Sequence, residues 1–242
     1  MKLKRDYRKD TILFVPDLHI PYEHPDALEF IKAIKKEYAP SLVVNLGDML
    51  DFHAISFHDS DPSLLSAGDE LKEAQKRIKK WEKVIPEQII VGSNHGDLPL
   101  RKFMANGLPK EFIKSYNDIY GVSKKWQFVD DLTLQTSSAH VPDLYVAHGI
   151  RKNALQVAQQ RGQRFICGHF HEDFSVKYAG NPNSLIWAVM GGCLIDKKSR
   201  AFAYNKLNLN RPLLGCTVVL NGVPFNIPMI LDQKGRWIRE IF

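Results

Sequence analysis

Five short clusters carry the side chains able to do chemistry: Asp17-Leu18-His19, Gly47-Asp48, Asn94-His95, His148-Gly149 and Gly168-His169-Phe170-His171. Their carboxylates, imidazoles and amide oxygen are hard-to-borderline oxygen and nitrogen donors. Such donors suit manganese, iron, zinc and similar cations rather than thiolate chemistry. In an extended segment, residues two apart point the same way. Asp17 with His19, and His169 with His171, can therefore each aim two donors in one direction, enough in all to hold two ions. Glycines beside Asp48, His148 and His169 remove bulk and open backbone conformations that tight ligand loops use. Taken singly, each histidine reads equally as a surface residue or a hydrogen-bonded loop residue; the joint pattern is what points to ligands.

The elements that must position these clusters are legible from periodicity. Thr11 to Val15 is a continuous apolar run rich in β-branched residues, a buried strand ending just before Asp17. Ala27, Leu28, Ile31 and Ile34 recur at helical spacing between about Pro25 and Lys36, and Leu42 to Asn45 returns as a strand before Gly47-Asp48. Strand, helix, strand implies a parallel pair with a right-handed crossover, and such folds place ligands beyond the carboxyl ends of their strands. Leu71, Ala74, Ile78, Trp81 and Ile85 alternate spacings of three and four, and Ser66 with Asp69 forms a capping pair, so a helix is expected from Ser66 to Ile85. Further strands are expected at Gln88 to Val91, Leu144 to Ala147 and Arg164 to Cys167, with a helix from Asn153 to Arg161 closed by Gly162. Every cluster thus follows a strand. Beyond about residue 185 strands dominate, with a hairpin of Cys216 to Leu220 and Val223 to Ile230 about an Asn221-Gly222 turn. Residues 98–142 carry the weakest pattern and read as an insertion within a single domain spanning 1–242.

Composition narrows the setting. A 242-residue chain that is 44% hydrophobic and 25% charged can bury a sizeable core, and Trp81, Trp126 and Trp187 are candidates for it. Three widely spaced cysteines, Cys167, Cys193 and Cys216, argue against a disulfide framework and against a cysteine zinc site. No stretch has the length and apolarity of a membrane span, and the start lacks the apolar run of a secretory signal, so a cytoplasmic location is expected. The net charge of +6 suits an acidic partner such as a nucleotide or DNA, although much of the excess sits at Lys2 to Lys9 and on the helix from Lys72 to Lys83, where solvated faces account for it.

In order and strand context the five clusters resemble the motifs of the calcineurin-like metallophosphoesterase superfamily: Asp-x-His, Gly-Asp, Gly-Asn-His-Asp/Glu, His and Gly-His-x-His. The resemblance spans roughly residues 11–175 and implies an α/β fold, a four-layer α-β-β-α sandwich of two mixed sheets flanked by helices, which the strand-rich 185–242 part completes. It also implies two divalent metal ions, manganese first, with iron, zinc, nickel or cobalt as alternatives. One ion would rest on Asp17, His19, Asp48 and His171, the other on Asp48, Asn94, His148 and His169, with Asp48 bridging. His95 is implied as the catalytic residue, giving a proton to the leaving oxygen or steadying charge on the transferring group. The third motif departs from the pattern: Gly92-Ser93-Asn94-His95-Gly96-Asp97 has an extra residue on each side of the Asn-His pair. The relation of Asp97 to His95 is therefore where this chain is expected to differ, with rate more exposed than metal binding.

The resemblance implies a hydrolase acting on a phosphoester substrate. Ser/Thr protein phosphatases carry Gly-Asp-x-Val-Asp-Arg-Gly and an arginine before Gly-Asn-His-Glu; here the sequence is Gly47-Asp48-Met49-Leu50-Asp51-Phe52-His53, and Val91 precedes Gly92. A phosphodiesterase or nuclease acting on nucleotide or nucleic-acid phosphates is the preferred expectation. A nucleotidase or phosphomonoesterase, a protein phosphatase and a metal-bearing scaffold without catalysis are the alternatives. Arg151, Asp51 and His53 are candidates to contact substrate; Asp51, His53 and His58 read as well as supplying hydrogen bonds behind the ligands or as solvent-exposed loop residues, and Arg151 and Lys152 read first as the basic start of a solvated helix. His24 and His140 are assigned to structure or surface.

Overall fold

The strands and helices form where apolar periodicity places them, in a computed structural model that describes residues 1–57, 63–136, 140–181, 184–199 and 211–241. His58 lies outside the described residues. In chain order the elements are β1 (Lys2–Lys4), β2 (Thr11–Val15), α1 (Ala27–Tyr38), β3 (Leu42–Asn45), α2 (Ala67–Val84), β4 (Gln88–Val91), α3 (Leu98–Ala105) and α4 (Tyr116–Tyr120). They continue with β5 (Trp126–Val129), β6 (Leu132–Gln135), β7 (Leu144–Val146), α5 (Ala154–Arg161), β8 (Arg164–Cys167), β9 (Phe174–Asn181), β10 (Ser184–Gly191), β11 (Gly215–Leu220) and β12 (Val223–Pro228). The strands at β2, β3, β4 and β8 have the bounds read from the sequence, because each is a short apolar run stopped by polar residues. Helix α1 runs past Lys36 to Tyr38, where Ala39 at φ 43° ends it just before Pro40; no glycine marked that stop. Ser66 caps α2 by accepting the Asp69 backbone N–H, and Gly162 closes α5 in the left-handed conformation, both as expected.

The strands form two mixed six-stranded sheets, ordered β1-β6-β7-β8-β10-β9 and β12-β11-β2-β3-β4-β5. Strands β2, β3, β4 and β5 run parallel, as do β7, β8 and β10, so their carboxyl ends gather on shared edges. Ile12, Phe14, Val44, Leu46, Ile89 and Val91 interlock with Leu134, Val146, Ile166 and Val189 of the facing sheet. Alternation sends Leu13, Val15, Val43 and Ile90 outward against Phe30, Ile31, Ile34, Ile78 and Trp81 of α1 and α2. On the far side Phe165, Ala188 and Met190 pack on Ala154, Val157 and Ala158 of α5. The result is the expected α-β-β-α order of layers. All three tryptophans named above are buried in it.

Residues 98–142 are not an insertion. This segment holds α3 and α4, then adds β5 to the edge of one sheet and crosses to place β6 beside β1 and β7 in the other. Strand β5 was obscured because an edge strand buries only part of its residues, and β6 because its four residues, Leu132-Thr133-Leu134-Gln135, alternate apolar and polar instead of forming a run. The first basic residues form β1, pairing in parallel with Thr133 to Gln135.

Candidate metal centre

The five clusters converge because each sits just past the carboxyl end of a parallel strand: Asp17 and His19 after β2, Asp48 after β3, Asn94 and His95 after β4, His148 after β7, and His169 and His171 after β8. Unusual backbone angles let the chain turn back within these loops, with φ of 50° at His19, 43° at Asp48 and 72° at His169. Close approach also requires glycine. A Cβ on Gly168 would stand 2.2 Å from Asp17 Oδ1, and one on Gly47, at φ +100°, would stand 2.6 Å from Ser93 Cβ.

Among the described residues three overlapping groups of donors result: Asp17, His19 and His171; His19, Asp48 and His95; and Asp48, His148 and His169, each with ligand atoms within 4.8 Å of one another. Asp48 is shared, its Oδ2 lying 3.5 Å from His19 Nε2 and 3.1 Å from His148 Nε2. Asp17 Oδ2 accepts the His169 backbone N–H at 2.8 Å and lies 3.0 Å from His171 Nε2. Burial alone would raise the carboxyl pKa of Asp17, but His148 and His171 beside it hold it below the ordinary range. Asp48 is held well below in the same way by His148 and His19. In return, burial pulls His148 down while the carboxylates of Asp48 and Asp17 overcome it, leaving its pKa raised to about 9. Burial lowers His19 and His169.

Two features show that this donor set fits a cation. Asp17 Oδ1 is fully buried and has no hydrogen-bond partner, a costly condition for a carboxylate oxygen unless a positive charge meets it. Moreover, His148 Nδ1 donates to the Leu46 carbonyl at 2.8 Å, which leaves Nε2 to the cluster, protonated there without an ion and able to present its lone pair to one. That lone pair faces Asn94 Oδ1 at 2.8 Å and Asp48 Oδ2 at 3.1 Å. Three acceptors converging on one point call for a proton or a metal ion between them. His19 repeats the arrangement, with Nδ1 held by Asp51 Oδ1 at 2.5 Å and Nε2 turned to His171 Nε2 at 3.3 Å. All seven residues expected as ligands are in the cluster.

His95 lies at its edge, its ring 4.6 Å from that of His19. Its Nδ1 is 2.5 Å from the Asp51 carbonyl oxygen, and its backbone N–H donates to Asp48 Oδ1 at 3.1 Å. Asp97 does not orient it; that carboxylate accepts the Tyr116 hydroxyl at 2.8 Å. The extra residue before Asn94 has a use instead. Ser93 Oγ accepts the backbone N–H of Asp48 at 2.8 Å and of Gly96 at 3.1 Å, tying two ligand loops together. Sequence reading passed over Ser93, though its position as the added residue was a signal. The Leu46 carbonyl left no signal, since any residue supplies one.

The residues considered for substrate contact fare differently. Asp51 is only 2% exposed and its Oδ1 braces His19 Nδ1, while its Oδ2 is buried without a hydrogen-bond partner, so it sits behind the ligands rather than facing a substrate. His53 sits on the same loop outside all three donor groups, with Nδ1 3.8 Å from Asp51 Oδ2. Arg151 is exposed on the loop after His148. His24 is structural, accepting the Asp26 backbone N–H, and His140 is exposed.

A buried carboxylate and imidazole centre at one end of an α-β-β-α sandwich is the class of architecture that the motifs' resemblance to calcineurin-like metallophosphoesterases implies. Solved structures similar to the chain include Yfce, a phosphoesterase from E. coli, at 12% identity over 94% of this chain and 96% of that one, with a TM-score of 0.42. Vps29 from Chaetomium thermophilum is 12% identical over 97% and 95%, with a TM-score of 0.48. Vacuolar Protein Sorting 29 from Cryptosporidium parvum is 16% identical over 96% and 97%, with a TM-score of 0.46. No family model and no curated protein matches the sequence.

Proposed function

We propose that this protein is a dimetal-dependent phosphoester hydrolase acting on phosphodiesters of nucleotides or nucleic acids. The observation that carries the reading is the place of Asp48, whose Oδ2 lies between His19 Nε2 at 3.5 Å and His148 Nε2 at 3.1 Å, with the His95 ring 4.6 Å from that of His19. Asp17, His19, Asp48 and His171 would hold one ion, and Asp48, Asn94, His148 and His169 the other. Manganese is the first expectation for this oxygen and nitrogen set. Two ions so held would supply an activated water and charge stabilisation for the phosphoryl oxygens. With its Nδ1 proton engaged by the Asp51 carbonyl, His95 has Nε2 left to meet a substrate, and the protonated ring donates from there to the leaving oxygen.

The surroundings favour short substrates. A recess of about 430 Å³ beside His148 and His169 is lined by Asp97, Asp130 and Asp131 as well as Asn94 and Tyr145. Carboxylates on that wall oppose a long polyanion lying across it, so nucleotides and short single strands suit it better than duplex DNA. The net charge of +6 still steers phosphates toward the protein. A cytoplasmic setting accords with three cysteines that are buried and unpaired, and among the described residues no helix is long and apolar enough to cross a membrane.

The test is to strip the protein, reload it with manganese, and compare a chromogenic phosphodiester, a chromogenic phosphomonoester, mononucleotides, and single- and double-stranded DNA. Cleavage of diesters or of single strands supports the reading. Activity confined to monoesters makes the protein a nucleotidase or phosphomonoesterase, and silence on every substrate leaves a metal-bearing scaffold. A His95→Gln preparation controls for contaminants.

A further inference from the structure

Helix α2 buries Glu70, Ala74, Ile78 and Trp81 on one stripe, so a carboxylate occupies a position in the register of the core. Glu70 is 3% exposed. Its Oε1 accepts the His53 backbone N–H at 2.8 Å, and its Oε2 accepts that of Ala54 at 2.9 Å. Those two N–H groups open the short 3-10 turn His53–Ile55, whose own bonds run later, from Ile55 N to the Phe52 carbonyl and from Ser56 N to the His53 carbonyl. The first donors of a helical turn have no partner within it. One carboxylate at the amino end of α2 satisfies both, and the helix dipole there favours its charge. Burial pushes the Glu70 carboxyl pKa up, and the two backbone donors oppose that rise.

The turn matters because of what precedes it. Asp51 meets His19 through its carboxylate and His95 through its carbonyl. Phe52 follows at φ 53°, a left-handed conformation that costs on the order of 1 kcal/mol and must be held from both sides. On the upstream side the Asp51 backbone N–H donates to the Ile20 carbonyl at 3.1 Å. On the downstream side the hold is Glu70. We propose that Glu70 is a positioning residue for His95: it clamps the turn after Asp51 and so fixes the carbonyl that orients the catalytic imidazole. The inference rests on the reading of His95 as the catalytic acid.

The predicted signature is coupling. In manganese-loaded protein, Glu70→Gln keeps the volume but leaves one acceptor oxygen, and sets amide hydrogens against one of the two N–H groups. Its kcat on the chromogenic diester should fall about tenfold, and that of Glu70→Ala further, with KM within about twofold and two metals retained. Combined with His95→Gln, Glu70→Gln should cost little beyond His95→Gln alone, since it acts through that ring. Glu73→Gln, at a half-exposed position of α2 paired with Arg77, is the control. Unchanged kcat in both Glu70 variants, a loss additive with His95→Gln, a loss matched by loss of metal, or failure of Glu70→Gln to fold would each overturn the proposal. Inactive wild-type protein would instead sink the hydrolase reading. The clamp is then read by histidine NMR of the zinc-loaded protein. The His95 Nδ1–H signal should shift and exchange faster in Glu70→Gln while that of His148 stays; no change in the His95 signal overturns it.

Discussion

The two halves of the metal centre are built from the same residue types and differ in how firmly they are held. In the enclosed half, Asp17 and His19 are essentially inaccessible, His19 is braced by Asp51, and His171 Nε2 converges with Asp17 Oδ2 at 3.0 Å. In the open half His148 is braced by the Leu46 carbonyl, yet His169 and Asn94 are exposed, and the His169 ring meets its surroundings through the rings of His148 and Phe170. Bracing behind a ligand fixes its tautomer and direction before any cation arrives. The enclosed half is therefore expected to bind its ion more tightly and release it more slowly, and the open half to exchange and to meet the substrate.

The largest effect should come from the residue that belongs to both halves. Asp48→Ala removes the bridging carboxylate and leaves His148 facing Asn94 alone. Metal content by mass spectrometry should drop from two equivalents to at most one, with diester hydrolysis down by about a thousandfold or more. Two retained equivalents would show that the halves are independent sites. Next in size is His95→Gln, which leaves every expected ligand in place. Turnover should fall about a hundredfold with both metals retained. Loss of a metal in that variant would move His95 from the catalytic role into the ligand set, where one of the three donor groups already includes it.

Direct comparison of the halves needs a matched pair. His169→Ala should weaken the second step of a manganese titration about ten- to a hundredfold and leave the first unchanged. His171→Ala should weaken the first step, because its ring lies 3.3 Å from His19 Nε2 and 3.0 Å from Asp17. Calorimetry resolves the two steps, and equal losses from both variants would erase the proposed asymmetry.

The cluster of donors was legible in the sequence, because the donors follow strand ends and strand ends announce themselves by apolar runs that stop. The bracing was not. Asp51 is one carboxylate in a loop, and whether it faces a substrate or His19 depends on the turn that follows, which itself depends on Glu70 from a helix some fifteen residues on. Periodicity identified α2 but assigned its stripe to apolar residues, passing over the carboxylate within it. The same limit applies to the fold. Central strands such as β3 were found to the residue, whereas β1, β5 and β9 were missed because edge positions dilute the pattern that reveals a strand, and β6 because its polar residues Thr133 and Gln135 break the apolar run.

The smallest effect is expected where neither half is touched. Asp26 pairs with Arg236 and accepts the Trp237 backbone N–H at 3.0 Å, tying the start of α1 to the C-terminal part of the chain. The Arg236 guanidinium lowers the Asp26 carboxyl pKa to about 2 from the ordinary 3.8. A depressed folded-state pKa means stabilisation that is complete above about pH 4 and is lost as pH falls through about 2, with roughly half gone by pH 3. Arg236 is 60% exposed, so solvent screening limits the net worth to about 1 kcal/mol. Asp26→Asn should then lower Tm by about 3 °C at pH 7 and by roughly half that at pH 3, in thermal melts read by circular dichroism. Both steps of the manganese titration should be unchanged. A shift in either would show that the metal loops respond to packing far from them, and the contrast between a rigid and an adaptable half would then belong to the whole sandwich rather than to the residues behind each ligand.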